Sequence, residues 1–506
     1  MMCVFLISNM YAVGFGGPNY DAGLAIAPAG DGGFVIAGQT YGVGAGDYDI
    51  CVVKVTPTGA IAWARTFGGA GWEAPGAIIR TSDGGFAIAG GTGSWGAGAY
   101  DVLVLKITST GGFSWARVFG GSSYEMAYDI IELSDGFAVA GYTSSTGAGE
   151  SDFLLLRLGT SGGLIWARVF GTSLDETAFG VARTSDGGFV VVGEREISGT
   201  DWDALVVKYT STGTFSWARS ISAGTMPERA CEVIPTTGDS LAIGGFTLNP
   251  STGYYMMFFF KLSWAGAVGW GRAYGGGGTT YGYDMIPSGS DFILSGETRA
   301  SGAGGFDYGM IKVNSAGVLQ WARTWGTTTV DDGQHVALGT DGIAMVGWTY
   351  GFDPNGNILV LKTDLNGNYP SCVQNWSPST VNPTLTATTL TGGTSWTPTN
   401  SSVTPTTTTP SWTPTNACTP VEIEETGPSD SEIWVSGNAL YVRSTRIQPA
   451  DIRVYLPDGR LEETLFSGWL SRGTSRFELP EGHGLRFAVV RLGEEGRTAK
   501  AMILGR

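Results

Sequence analysis

The sequence predicts an all-β chain whose first three-quarters form a seven-bladed β-propeller of four-stranded blades, and three observations carry that prediction. A Trp-x-Arg motif recurs at Trp63, Trp115, Trp166, Trp217, Trp270 and Trp321, spaced 52, 51, 51, 53 and 51 residues apart, and a fixed period near fifty residues marks a propeller or solenoid. A glycine closing a short apolar run recurs seven times, at Gly38, Gly90, Gly141, Gly193, Gly245, Gly296 and Gly347. A cation ending the following run also recurs seven times, at Lys54, Lys106, Arg157, Lys208, Lys261, Lys312 and Lys362.

Within one copy, GAIIRTSDGGFAIAGGTGSWGAGAYDVLVLKITSTGGFSWARVFGG, four apolar runs are separated by turn chemistry, as in an antiparallel four-stranded unit. The first run is small and mixed, which suits the crowded axis of a propeller. The second is FAIAG, reached through TSDGG, whose glycine permits the positive φ of a tight hairpin. The third, DVLVLKI, is apolar on consecutive positions, so both faces of its sheet are covered by neighbouring blades. The fourth, FSWARVF, follows the turn STGG and suits the wide rim. A hairpin register across STGG brings the Lys106 stem near Trp115, with cation–π character.

Only six copies carry the tryptophan, but Phe15-Gly16-Gly17 lies 52 residues before Phe67-Gly68-Gly69. Tyr11 therefore takes the missing position, and an amino-terminal fourth strand is expected to complete the last blade beside Asn357 to Lys362. Such closure removes exposed sheet edges. A rival is GNYPSC, Gly367 to Cys372, folding back locally.

Composition narrows the function classes. A net charge of −16 and a pI near 4.6 leave no basic stripe for nucleic acid. Five cysteines without a CxxC and only two histidines, His335 and His483, supply zinc, haem and His-based triads poorly, so no cofactor or metal is expected. No run is apolar for long enough to span a bilayer as a helix. The start MMCVFLISNM lacks a basic n-region and a cleavage site, and reads as a truncated start rather than an export signal.

The propeller is assigned to residues 1–372. Residues 373–420 are a Thr/Ser/Pro tract containing SWTPTN twice, expected to be an extended, solvated stalk, bracketed by Cys372 and Cys418, which could be bridged or free. Residues 421–506 return to short β-runs such as DIRVYLPDGRLEETLF and RFAVVRLGEEG, enough for a small β-sandwich.

Two resemblances follow from these motifs. FAIAG, DVLVLK and a hairpin into a Trp strand resemble the kelch-like and galactose-oxidase-like propeller repeat. DGGFxIAG…DxLVLKxxxxGxxxWARxFGG is similar to repeats of secreted bacterial seven-bladed propeller proteins. The order IRVYLPDGRLEETLF, RFAVVRL, KAMILGR resembles the carboxy-terminal sorting domain of type IX secretion cargo, although HGLRF stands where that family has glycine-tyrosine. These resemblances imply a secreted or cell-surface protein, an exported carboxy-terminal address and contact with the secretion machinery; none implies a particular reaction.

Candidate site residues fall among the repeated and the divergent positions. A carboxylate opens the first strand in six copies, Asp21, Glu73, Glu125, Glu176, Glu228 and Asp331, with Thr279 at the exception. Either these make the same inter-blade hydrogen bond in each copy, or they ring a channel mouth where, with His335, they hold a polar ligand or cation. A second series, Asp49, Asp101, Asp152, Asp203, Asp307 and Asn357, caps the GAG loops. Divergent features are His335 beside Asp331 and Asp332, Glu194-Arg195-Glu196 in the fourth copy, and the run YYMMFFF at Tyr254 to Phe260, read as core strand. The expectation is a monomeric, non-catalytic binding or scaffolding module for an extracellular polysaccharide, protein or cell-envelope ligand. The alternative is an extracellular hydrolase or lyase using the channel carboxylates and His335, which requires Asp331 and His335 to lie in contact.

Overall fold

The chain is described by a computed structural model covering residues 10–369, apart from 225, 226, 303, 352 and 353, together with strands lying between 373 and 416 and between 431 and 504. It divides into two units, Met1–Cys418 and Thr419–Arg506.

In the first unit seven antiparallel sheets repeat one pattern. Blade one comprises Asp21–Pro28, Phe34–Tyr41, Tyr48–Val55 and Ile61–Gly68, and blade two Glu73–Arg80, Phe86–Thr92, Asp101–Ile107 and Phe113–Gly120. The first strands of blades three to seven are Glu125–Leu133, Glu176–Arg183, Glu228–Thr236, Thr280–Ser288 and Asp331–Leu338. Each first strand contacts the first strands of both neighbouring blades, and that of blade seven contacts that of blade one, so the first strands are innermost and the wheel is closed. The second and third strands are almost wholly buried, as their unbroken apolar runs require. The YYMMFFF run follows this rule, with Met256 to Phe260 in the core.

Ring closure uses the amino-terminal strand. Tyr11–Phe15 pairs antiparallel with Asn357–Thr363, Tyr11 opposite Lys362 and Phe15 opposite Ile358. Trp115 stands opposite Lys106 in the same register, so Tyr11 does occupy the missing tryptophan's place. GNYPSC is not the closing strand, and its residues 370–372, like Cys372 and Cys418, lie outside the described residues.

The recurrent side chains join the blades. The tryptophan of each outer strand lies against the positive-φ glycine of the next blade's last hairpin: a Cβ on Gly111 would come within 2.8 Å of Trp63, on Gly162 within 2.6 Å of Trp115, and on Gly317 within 2.7 Å of Trp270. Gly59 meets Tyr11 in the same way and completes the circuit. The guanidinium two residues on folds over its own ring, Arg168 at 5.0 Å from the Trp166 centroid and Arg272 at 5.2 Å from that of Trp270. The cation–π partner is thus this arginine. The lysine expected there turns instead to its own DGG hairpin, Lys106 to Asp83 at 2.9 Å and Lys208 to Asp186 at 3.0 Å. Its buried stem needs a partner for its charge, and the hairpin carboxylate is the nearest one.

The Thr/Ser/Pro tract is extended, as its composition requires, but it is not a free stalk. Its strands run backward around the wheel and add a fifth strand to every blade: Val373–Asn375 to blade six, Ser379–Val381 to five, Thr386–Leu390 to four, Thr394–Trp396 to three, Thr399–Val403 to two, Thr406–Thr408 to one and Thr415–Asn416 to seven. Backbone pairing needs no apolar side chains, so a polar tract can cover sheet edges that would otherwise stay unpaired. No proline falls within these strands, because proline cannot donate to a ladder. Leu390 packs against the core between blades three and four.

The second unit holds two antiparallel sheets, one of Ser431–Ser436, Ala439–Ser444 and Gly473–Glu478, the other of Gln448–Tyr455, Leu461–Leu470, Arg486–Leu492 and Thr498–Leu504. Among the described residues no helix is long and apolar enough to cross a membrane.

Gly84 and Gly317 both have positive φ, 83° and 74°, but a Cβ on Gly84 meets nothing within 4 Å. Gly84→Ala is expected to cost about 1–2 kcal/mol for the left-handed backbone alone, and Gly317→Ala a further 1–3 kcal/mol or so for overpacking against Trp270; denaturant midpoints of the two variants measure the difference. Leu390→Asp is expected to open the Thr386–Leu390 segment to limited proteolysis while the blades remain resistant.

Candidate functional site

All six carboxylates that open the inner strands are fully buried. Glu73 accepts from the Gly69 N–H at 2.8 Å and the Thr92 hydroxyl at 2.7 Å, and Glu125 from the Gly121 N–H and the Thr143 hydroxyl, both at 2.7 Å. Glu228 takes the Thr247 hydroxyl at 3.0 Å, Asp21 the Gly17 N–H, and Asp331 the Thr327 hydroxyl at 2.9 Å. Glu176 takes the Thr172 N–H at 2.7 Å, and Arg195 stands 3.4 Å away where other blades have threonine. Each carboxylate therefore ties the end of one blade to the start of the next. This corrects their placement at a channel mouth: they point into the blade junctions, because burial there is tolerable only with such donors. In blade six the equivalent residue is Thr280, paired with Thr298, rather than Thr279.

The second aspartate series caps the GAG loops, Asp49 accepting from the Ala45 N–H at 3.0 Å and Asp152 from the Ala148 N–H at 3.1 Å.

Asp331 and His335 are not partners. They are four residues apart on a strand that bulges between Gly333 and His335, and the His335 Nδ1 lies 3.5 Å from Asp284 Oδ2 in the neighbouring blade. The contact that the hydrolase alternative requires is absent.

What opens to the axis is set by the bulge. Each inner strand slips register once, after Gly23, Pro75, Ala127, Ala178, Ala230, Gly282 and Gly333. The extra residues are Leu24, Gly76, Tyr128, Phe179, Cys231, Tyr283 and Gln334, six residue types over seven equivalent positions. Just below stand Asp129, Glu232, Asp284 and His335. Asp129 accepts from its neighbour Ile130 N–H at 2.7 Å and from Val181 N–H of the next blade at 2.8 Å. Asp284 repeats this with Met285 at 2.7 Å and Val336 at 2.8 Å. Burial pushes Asp129 up to about 6 despite these bonds, with Asp284 repelling its charge. Burial, then Asp129 and Asp284, holds Glu232 well above the usual carboxylate range. Burial opposes charge on His335, but the Asp284 carboxylate, with Asp129 behind it, outweighs this and raises its pKa.

Above this floor, on the face from which the inner strands depart, lies a cavity of about 490 Å³. Its rim is Trp72, Tyr100 and Tyr124, whose rings meet edge to face at 5.0 Å and tilted at 5.5 Å. Met126, Tyr128 and Tyr142 form the wall over blade three, the two tyrosines stacked at 6.2 Å. Gln39, Gln334 and His335 supply polar atoms. Tyr100 and Tyr124 are 37% and 46% exposed.

The opposite side of the axis is charged and self-satisfied. Arg229 grips Glu194 through two bonds of 2.7 Å and lies 4.4 Å from the Phe179 centroid. Glu297 and Asp332 share a hydrogen bond, and Tyr283 donates to Glu297 at 2.9 Å. Burial, then Asp332, pushes Glu297 up to about 8, so it is the protonated partner. Burial also lifts Asp332 to about 6. Gln334 Nε2 donates to Asp332, which fixes the glutamine at the cavity's edge.

Of the predicted site residues only His335 reaches the cavity. Tyr128, Gln334 and the rim aromatics were missed, yet a signal exists: the third residue after each carboxylate, or after Thr280 in blade six, reads Leu, Gly, Tyr, Phe, Cys, Tyr, Gln, while the residue before it is always Gly, Ala or Pro. A second cavity of about 400 Å³, near Trp166 and Arg157, is lined partly by repeat-motif residues. Among the described residues no three His, Cys, Asp or Glu side chains gather as a metal site would need.

No protein-family model matches the chain, and no curated protein matches it. Among solved structures it is similar to Sqt1 from Chaetomium thermophilum, at 12% identity and a TM-score of 0.42 over 71% of this chain and 85% of that one. It is also similar to the phage phi92 endosialidase, at 10% identity and a TM-score of 0.39 over 94% and 88%.

The axial acids bind protons more tightly folded than unfolded, so the native state carries more protons between about pH 4, the unfolded carboxylate value, and about pH 8, where Glu297 titrates. Stability from these groups therefore falls as pH rises through that window, and the raised His335 acts in the same direction. Tm is expected to be higher at pH 5 than at pH 8.5, and Glu232→Gln to raise it at pH 8.5 with little change at pH 5, as read by calorimetry.

Proposed function

We propose that the protein is a secreted or surface-displayed binding module, with the propeller holding an extracellular ligand non-covalently in the aromatic cavity and the carboxy-terminal unit serving as export or anchoring address. The observation that supports this reading is that the copies diverge around the axis, and on one side of it they leave a concave, largely apolar space with a few convergent polar groups. Such a space is the ordinary form of a ligand site, and loops converging on a rigid scaffold are the ordinary place for one. The type IX-like and secreted-propeller motifs support the extracellular address.

A binding role fits the site better than a catalytic one. The polar atoms facing the cavity belong to glutamines, tyrosines and one histidine whose Nδ1 is committed to Asp284. Asp129, Glu232 and Asp284 each accept from backbone N–H groups, and none of the three lines the cavity.

A thermal-shift screen of the full chain against soluble glycans, peptides and small metabolites tests this. A cavity ligand raises Tm as its concentration passes Kd, is expected to lose that effect in Tyr128→Ala, and is expected to be recovered chemically unchanged. Turnover of the ligand would favour the hydrolase or lyase reading.

A further inference from the structure

The cavity also has a chemistry that selects its ligand, and this inference rests on the binding reading above. We propose that the site takes a neutral glycan.

Charge decides first. No carboxylate, lysine or arginine lines the cavity, and the one ionisable group other than tyrosine is His335. Its pairing with Asp284 favours the imidazolium, so an ammonium ligand would meet a like charge at the floor. An anionic ligand would meet Asp129 and Asp284 below and a chain of net charge −16 around it. Neither sign is compensated, which leaves neutral ligands.

Shape and hydrogen bonding decide next. The rings of Trp72, Tyr100 and Tyr124 are set at 75° and 37° to their neighbours, offering differently inclined apolar faces rather than one flat platform. A sugar ring, with C–H groups on its faces and hydroxyls on its edge, can lay a face on one aromatic while its edge meets polar atoms. Those atoms are in reach: Gln39, Gln334, and the hydroxyls of Tyr128 and Tyr142 both donate and accept. Gln334 is held by its bond to Asp332, so it is pre-set rather than ordered by the ligand.

The test is calorimetric titration of the full chain with four probe sets: neutral gluco-, manno- and galacto-oligosaccharides, oligouronates, chitosan oligomers, and a polyproline peptide. The expected result is binding of a neutral oligosaccharide, weakened at least tenfold by Tyr124→Ala, an exposed position whose loss should not unfold the blade, and by Gln334→Leu. Binding confined to oligouronates, chitosan or polyproline, still sensitive to Tyr124→Ala, would overturn the neutral-glycan assignment while keeping the cavity as the site. Binding that neither substitution alters would overturn both.

Discussion

The structure depends on one contact made seven times: an aromatic ring on the outer strand of each blade resting on a bare glycine in the next blade's last hairpin. Glycine serves there twice, giving the positive φ of the turn and leaving room for the ring, and no other residue does both. Because the last of these contacts joins Tyr11 to Gly59, the circuit has no free end. The inner carboxylates repeat the same logic at the axis, where Glu73 and its equivalents stitch blade to blade through N–H and hydroxyl donors. Recurrent residues thus spend their chemistry on assembly.

That division explains what the sequence made legible. Blade number, strand order, the Lys106–Trp115 register and Tyr11 as the seventh aromatic follow from a strict period, since identical environments demand identical residues. The carboxylates were equally visible, but periodicity alone does not say whether a repeated acid faces solvent or a junction. Their full burial decides it. The cavity residues were not legible because their position depends on a one-residue bulge, which moves a side chain from the blade interface to the axis without changing the residue count. Once the bulge is placed, Tyr128 and Gln334 fall at the freest position of the repeat.

The fifth strands added by the Thr/Ser/Pro tract were illegible for a different reason. Residues 373–416 have neither alternation nor an apolar run, and composition of this kind ordinarily signals solvated chain. Strand addition to an existing edge is stabilised mostly by backbone hydrogen bonds, so Thr and Ser suffice, with prolines kept to the intervals between strands. The fourth-strand edge of every blade is thereby occupied by the chain itself and is closed to pairing with other copies.

The axis divides into a charged half, closed by Arg229–Glu194 and Glu297–Asp332, and an aromatic half that is open. Both are built at the same structural positions, so the asymmetry is written in side chains on a near-symmetric scaffold. Closure of the wheel underlies all of it, and hydrogen exchange of the Tyr11–Phe15 amides tests closure most directly. Protection matching that of the Asn357–Thr363 strand is the predicted result. Exchange of Tyr11–Phe15 at the rate of an unpaired chain, with Asn357–Thr363 protected on one side only, would contradict the account.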